Sequence, residues 1–238
     1  MLRKLFMIVV GIPFTGLICV LALLSVIVDR TGNMAGYITK AWGWGILKVA
    51  GVKVEIRGIE HLERGESYAF VANHASLLDI PAAVATLPFQ LRFLAKKELF
   101  KIPLFGQATL AAGHIKIDRQ NLESAVESLK QASVRLKKNR SSVWIFAEGT
   151  RSLNGEIGKF KKGGIILAVK MEIPIVPVSI SGSRKLAPKG GKKMKSGKII
   201  ITVDKPISTE GYDVSNRNAL VKATRDIVVK NMVPEDAI

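Results

Sequence analysis

The sequence predicts an α/β protein: a largely parallel sheet flanked by helices, preceded by a two-helix membrane anchor. Three observations predict this. Apolar runs of strand length recur between residues 52 and 203, separated by segments with helical spacing. One such segment, Asn121 to Lys138, is a complete amphipathic helix of the length that a crossover between parallel strands needs. Leu5 to Val28 carries no charged residue and is long enough to span a bilayer.

The chain has 238 residues, which suits one substantial domain with an appendage. The division predicted is an anchor over residues 1–50 and a main domain over residues 51–238. Lys and Arg number 36 against 19 Asp and Glu, a formal charge of +17. Such a surface attracts polyanions, whether nucleic acid, anionic lipid or an acidic carrier protein, and charge alone does not choose among them. The one cysteine, Cys19, lies in the apolar run, so no intramolecular disulfide forms. No cluster of His, Cys and carboxylates has metal-ligand spacing. Gly158-Lys159 and Gly197-Lys198 are not phosphate loops of the Walker type, because Phe160 and Ile199 stand where a hydroxyl is needed.

The apolar run is preceded by Arg3-Lys4 and followed by Asp29-Arg30, and it exceeds a signal-peptide core. Pro13 and Gly16 can bend it. A second helix is predicted over Met34 to Ala50, with Met34, Tyr37, Ile38, Ala41, Trp42, Ile46 and Val49 at helical spacing. Tyr37, Trp42 and Trp44 suit the headgroup level, Lys40 and Lys48 suit anionic lipid, and Gly32-Asn33 supplies the turn. The two helices read as a hairpin set in or on the membrane, with a full span by the first as the competing topology.

Val52 to Arg57 alternates as a strand with one wet face. Ser67 to Ala72 is a buried strand, and Ile80 to Ala85 a helix with Pro81 in its first turn. Between them lies Asn73-His74-Ala75-Ser76-Leu77-Leu78-Asp79, at the carboxyl edge where α/β sheets bind ligands. A neutral imidazole can take a hydroxyl proton near neutral pH, and a carboxylate on its other nitrogen fixes the tautomer. Asp79 can reach back to His74 or cap the helix. Strands follow at Leu91 to Ala95 and around Ile115 and Ile117, then the Asn121–Lys138 helix and a buried strand at Ser142 to Phe146. Lys159 to Gly164 opens a helix reaching about Lys170. Ile175 to Ile180 is a strand in which Pro177 suggests an edge or a bulge. Arg184 to Lys198 is basic, with Gly190-Gly191, and reads as a loop. A last strand runs from Lys198 to Val203, and Ser215 caps a terminal helix. His114 is out of register with Ile115 and Ile117 and receives no role.

Asn-His, four residues, then Asp resembles the signature of the glycerolipid acyltransferases. Three further blocks follow in that family's order. Gly113 to Arg119 is similar to the block ending Asp-Arg, and before it Ala95-Lys96-Lys97-Glu98-Leu99 through Pro103 and Gly106 resembles the family's Ala-Lys-x-Glu-Leu segment. Phe146-Ala147-Glu148-Gly149-Thr150-Arg151-Ser152 matches its most distinctive block, with Ala147 where proline is usual. Ile175-Val176-Pro177-Val178 resembles a Val/Ile-Pro-Val run on the acyl-binding side. The resemblance implies transfer of an acyl group from a thioester of coenzyme A or acyl carrier protein, without a cofactor, to the sn-2 hydroxyl of 1-acylglycerol-3-phosphate. Glycerol 3-phosphate is the alternative acceptor, and a basic membrane-binding protein without activity is the rival reading. His74 and Asp79 would be catalytic, and Lys96 would stabilise the oxyanion. Arg119, Glu148, Gly149, Thr150, Arg151 and Pro177 would bind substrate. The partners implied are the bilayer, lysophosphatidate and the acyl carrier, with no nucleic acid. The place implied is a cell inner membrane, with the main domain on its cytoplasmic face.

Overall fold

The computed structural model describes residues 2–118, 128, 132, 136, 139, 141–191, 194–213, 215–234 and 238. Its strands are β1 (Val52–Arg57), β2 (Ala69–Ala72), β3 (Leu91–Lys96), β4 (Ile115–Ile117), β5 (Ser142–Phe146), β6 (Ile175–Ser181) and β7 (Gly197–Val203). They form one sheet in the order β1-β7-β6-β2-β5-β3-β4. Every neighbouring pair is parallel except β6 and β7, so the largely parallel α/β class is borne out. Arg119 and all of the expected Asn121–Lys138 helix except residues 128, 132 and 136 lie outside the described residues.

Successive side chains of a strand face opposite ways, and the central strands are apolar on both faces. Phe70, Ala72, Trp144, Val176 and Val178 enter one core, closed by α2 (Asn33–Ala50) and α3 (Asp79–Thr86). Ala69, Val71, Val143, Ile145 and Ile175 enter the other, closed by α5 (Lys162–Met171) and α7 (Arg217–Lys230). The remaining helices are α1 (Leu2–Val28), α4 (Phe105–Ala111) and a single turn, α6 (Ser183–Leu186), which occupies the start of the expected basic loop.

Three expectations change. Pro177 is not at an edge: β6 lies between β7 and β2, and Pro177 pairs with Val71. On its other side the register slips by one residue, from Val178 opposite Val203 to Ile175 opposite Ile207, which is the irregularity that the bulge reading called for. Its carbonyl accepts the N–H of Asp204 at 3.0 Å and it has no N–H to return, so the regular ladder with β7 stops there. Asn216 and not Ser215 holds the N-cap position of the terminal helix, without a side-chain cap hydrogen bond, while Ser215 donates its hydroxyl to Asp213. The first of the two amino-terminal helices does not stand apart, because α1 packs on both α2 and α4.

The pairing of α1 with α2 is antiparallel. Trp42 Nε1 donates to Thr15 Oγ1 at 3.0 Å, and Arg3 donates to the Ala50 carbonyl at 2.8 Å. The turn between them is held by Asp29, whose carboxylate accepts the N–H groups of Met34 and Thr31. Those bonds, the Met34 one foremost, hold its carboxyl down to about 2. The α2–α3 contact is close at Gly43, where an added Cβ would stand 2.5 Å from Val84 Cγ2 and 2.9 Å from the Pro81 carbonyl oxygen. Glycine is needed there because any side chain would push α3 away.

Candidate active site

The turn after β2 is fixed before any catalytic group is considered. The Asn73 amide donates to the Ile180 carbonyl at 3.0 Å and accepts the Ile180 N–H at 2.7 Å, tying the turn to β6. Ser76 Oγ donates to the Ala187 carbonyl and accepts the Leu78 N–H. Within this frame Asp79 opens α3 and is fully buried. Its Oδ2 accepts three N–H groups: His74 Nδ1 at 2.7 Å and the Ala75 and Ser76 backbones at 2.8 Å each. The orienting reading of Asp79 is met and the capping one is not, because the backbone N–H groups it holds belong to the turn before α3 and that helix has no side-chain cap hydrogen bond. With Nδ1–H committed to the carboxylate, neutral His74 presents Nε2 as an acceptor. The imidazole side chain is 12% exposed and stacks on Phe146, with ring centroids 3.8 Å apart.

The strand next door delivers the second half of the site. Glu148 Oε1 accepts the His74 N–H at 2.8 Å, Oε2 accepts the Gly158 N–H at 2.9 Å, and the Ser152 N–H donates to the His74 carbonyl. Both Glu148 oxygens thus hold backbone, and one of them holds the backbone of the histidine itself. Gly149 has φ +71°, and a Cβ there would meet the Lys161 side chain at 3.0 Å. Thr150 Oγ1 and the Arg151 carbonyl both accept Lys189 Nζ at 3.2 Å. Ala147 donates its N–H to the Ala72 carbonyl at 3.0 Å, a bond that the proline usual at this position could not make.

Glu148→Gln is expected to leave one N–H facing an amide donor. The loss should be about 1–3 kcal/mol, the usual cost of an unmade buried bond, with a parallel fall in turnover. Urea unfolding and single-turnover kinetics would measure the two. Unchanged values of both would show that the carboxylate does not hold this turn.

A cavity of about 760 Å³ opens beside His74 and Arg151. Its wall is mostly apolar, and α1 contributes more of it than any other element, with Met7 and Ile12 among its members; Trp42 and Ile46 come from α2. Phe93 and His114 also line it. His114 accepts the Phe93 N–H through Nδ1, and burial, helped by the nearby Arg92 cation, holds its pKa down to about 3. It is therefore a neutral wall residue at physiological pH. Lys96 is not brought to this cavity: its side chain is 55% exposed at the end of β3 and lies 3.6 Å from Glu98. The ammonium stays in water, where the approach to the reacting centre expected of it is not made. Pro177 is buried inside the sheet.

The contribution of α1 to the wall was not legible, since that helix is apolar on every side and its composition marks no inward face. The Phe146 ring under His74 could have been found, because it stands two residues before Glu148 in a strand adjoining β2.

The Acyltransferase family model matches residues 53–181. A 1-acyl-sn-glycerol-3-phosphate acyltransferase of Limnanthes alba is 35% identical over 203 residues, which are 85% of this chain and 70% of that one. The alpha form from Homo sapiens is 34% identical over 175 residues, 74% of this chain and 62% of that one. Among solved structures, the 1-acyl-sn-glycerophosphate (LPA) acyltransferase PlsC from Thermotoga maritima superimposes with a TM-score of 0.77 at 28% identity, covering 96% of this chain and 95% of that one.

Proposed function

The chain belongs to the Acyltransferase family, and from that premise we propose that it moves a fatty acyl group from an acyl thioester to the sn-2 hydroxyl of 1-acylglycerol-3-phosphate, giving phosphatidic acid for phospholipid synthesis. The observation that carries the reading is the buried His74–Asp79 pair opening on an apolar cavity that Arg151 also lines. His74 Nε2 takes the acceptor's hydroxyl proton as its oxygen attacks the thioester carbonyl carbon. The tetrahedral intermediate collapses, the carbon–sulfur bond breaks, and the departing thiolate recovers the proton from the imidazolium. Asp79 stabilises that imidazolium between the two steps. The thioester, on coenzyme A or acyl carrier protein, is a substrate, and no cofactor is assigned. Arg151, with Arg119, holds the acceptor's phosphate through the planar fork of the guanidinium. Glu148 and Gly149 shape the turn that presents His74, and Thr150 continues it.

Membrane association fits α1, which alone among the described helices is long and apolar enough to cross a bilayer. The hairpin topology is favoured over a single span, because α1 is tied to the rest of the protein near both ends. Lys4 donates to the Gly191 carbonyl at 3.1 Å, and Cys19 and Ala22 pack with Ala108 of α4 and with Ala112 just after it. A helix so held lies along the protein with its other side in lipid. The reading places the protein at a cell inner membrane, with the site facing the cytoplasm where thioesters are made.

The test is incubation of the full chain in vesicles with labelled acyl thioester on either carrier. Lysophosphatidate, glycerol 3-phosphate and lysophosphatidylcholine would be offered as acceptors. Phosphatidic acid is the expected product, and Arg151→Lys should raise KM for lysophosphatidate about tenfold by losing the bidentate fork. Equal transfer to lysophosphatidylcholine, or glycerol 3-phosphate as the preferred acceptor, would overturn the proposed acceptor.

A further inference from the structure

A second apolar surface stands outside the amino-terminal hairpin. The segment from Lys97 to Ala111 forms a 3-10 turn, a tight knuckle and α4. Leu99, Ile102, Leu104 and Leu110 are all exposed there, at 38–56%. An isolated exposed leucine calls for no explanation, but four within twelve residues make a patch. The knuckle is held in shape: the Phe105 N–H donates to the Pro103 carbonyl at 2.7 Å and the Gly106 N–H to the Ile102 carbonyl at 2.8 Å. Leu104 sits at φ +65°, a left-handed conformation that leucine rarely adopts. Exposed Lys101 lies inside the patch, and Lys97, paired with Asp118, flanks it.

What covers this patch follows from depth. The buried side of α4 and the residue after it pack on α1 through Phe105, Ala108 and Ala112, against Cys19, Ala22 and Leu23. The same stretch of α1 leaves Val20, Leu21 and Leu24 exposed. If that side of α1 rests in lipid, then α4, fixed against the same turns, lies at a comparable depth. We propose that the Leu99–Leu110 segment is a second, independent membrane contact, in which Ile102, Leu104 and Leu110 enter the headgroup–acyl boundary and Lys101 meets anionic headgroups. The contact does more than add affinity. Leu99 and Phe105 also line the cavity, so seating the knuckle in lipid sets the cavity rim at the surface from which a lipid acceptor arrives. This inference rests on the membrane reading above and goes beyond it by assigning a lipid contact to the catalytic domain.

The experiment uses the full chain with Ile102→Cys carrying an environment-sensitive nitrobenzoxadiazole label. The unsubstituted chain serves as the measure of any labelling at buried Cys19. Ser208→Cys, exposed near the amino-terminal end of β6, is the control. On phosphatidylcholine–phosphatidylglycerol vesicles the label at residue 102 should shift to the blue and be quenched by nitroxide on the lipid acyl chains, while the label at 208 does neither. Ile102→Glu should lower transfer to vesicle-held lysophosphatidate on the order of tenfold while leaving transfer to a short-chain, water-soluble acceptor unchanged. Leu104→Asn, which tolerates the left-handed conformation, should do the same and guards against a folding defect at one position. A chain that sediments with vesicles while the label at 102 remains in water overturns this inference and leaves the membrane reading standing. A chain that does not sediment overturns both.

Discussion

His74→Ala is expected to lower turnover by about 10²–10⁴, the contribution of a positioned general base, while the unfolding midpoint stays close to that of the parent. The two halves of this expectation have separate causes. The catalytic half follows from Nε2, the one ring nitrogen left free by the bond from Nδ1 to Asp79 at 2.7 Å. The stability half follows because the residue is held through its backbone: its N–H goes to Glu148 and its carbonyl accepts from Ser152, and both bonds survive in alanine. Asp79 would keep the Ala75 and Ser76 N–H donors, so its carboxylate would not be left bare. Thioester cleavage followed continuously, together with a thermal melt by circular dichroism, measures both. Near-parental turnover in His74→Ala would remove the histidine from the chemistry. A large fall in the midpoint would recast it as a structural residue.

That division between side chain and backbone also shows what could be read in advance. The reach of Asp79 back to His74 was legible from spacing, because a tight turn and a helix start leave few other arrangements. The strands were legible from apolar runs of the right length. Their order was not, since nothing local says that β6 crosses to the far side of β2, or that β7 returns antiparallel and pairs with β1. Pro177 looked like an edge residue because its missing donor is local, whereas what accommodates it, the slip in register between Val203 and Ile207, lies 26 to 30 residues away in sequence. Glu148 was legible as important but not as to what it holds: both partners, His74 and Gly158, are backbone groups that composition does not mark. The same limit applied to α1. Uniform apolarity gave its length and concealed that part of it walls the cavity.

Removing residues 1–50 is therefore expected to cost the fold, and with it all transfer, including transfer to a short-chain, water-soluble acceptor. Ile46, Leu47 and Ala50 of α2 are buried, and Leu47 and Ala50 belong to the core that holds Phe70, Trp144 and the α3 residues Ala82 to Val84. Losing Ile46 and Leu47 alone is worth on the order of 2–5 kcal/mol each, against a total stability of roughly 5–15 kcal/mol. The consequence reaches the site because α3 begins with Asp79, and α3 is what α2 covers. Removing residues 1–32 is expected to behave differently. Only 17% of the most apolar stretch of α1 is buried, and Met7 is the one α1 residue that packs against either sheet core, so the sheet keeps nearly all of its cover. The cavity, however, loses the wall that includes Met7 and Ile12. That shorter truncation should retain a cooperative melt and lose transfer of long acyl chains before transfer of short ones. Urea unfolding of both truncations, with transfer measured across donor chain lengths, separates the two expectations. A chain starting at Gly51 that unfolds cooperatively at the parental midpoint would show that α2 is an appended anchor and not part of the catalytic fold.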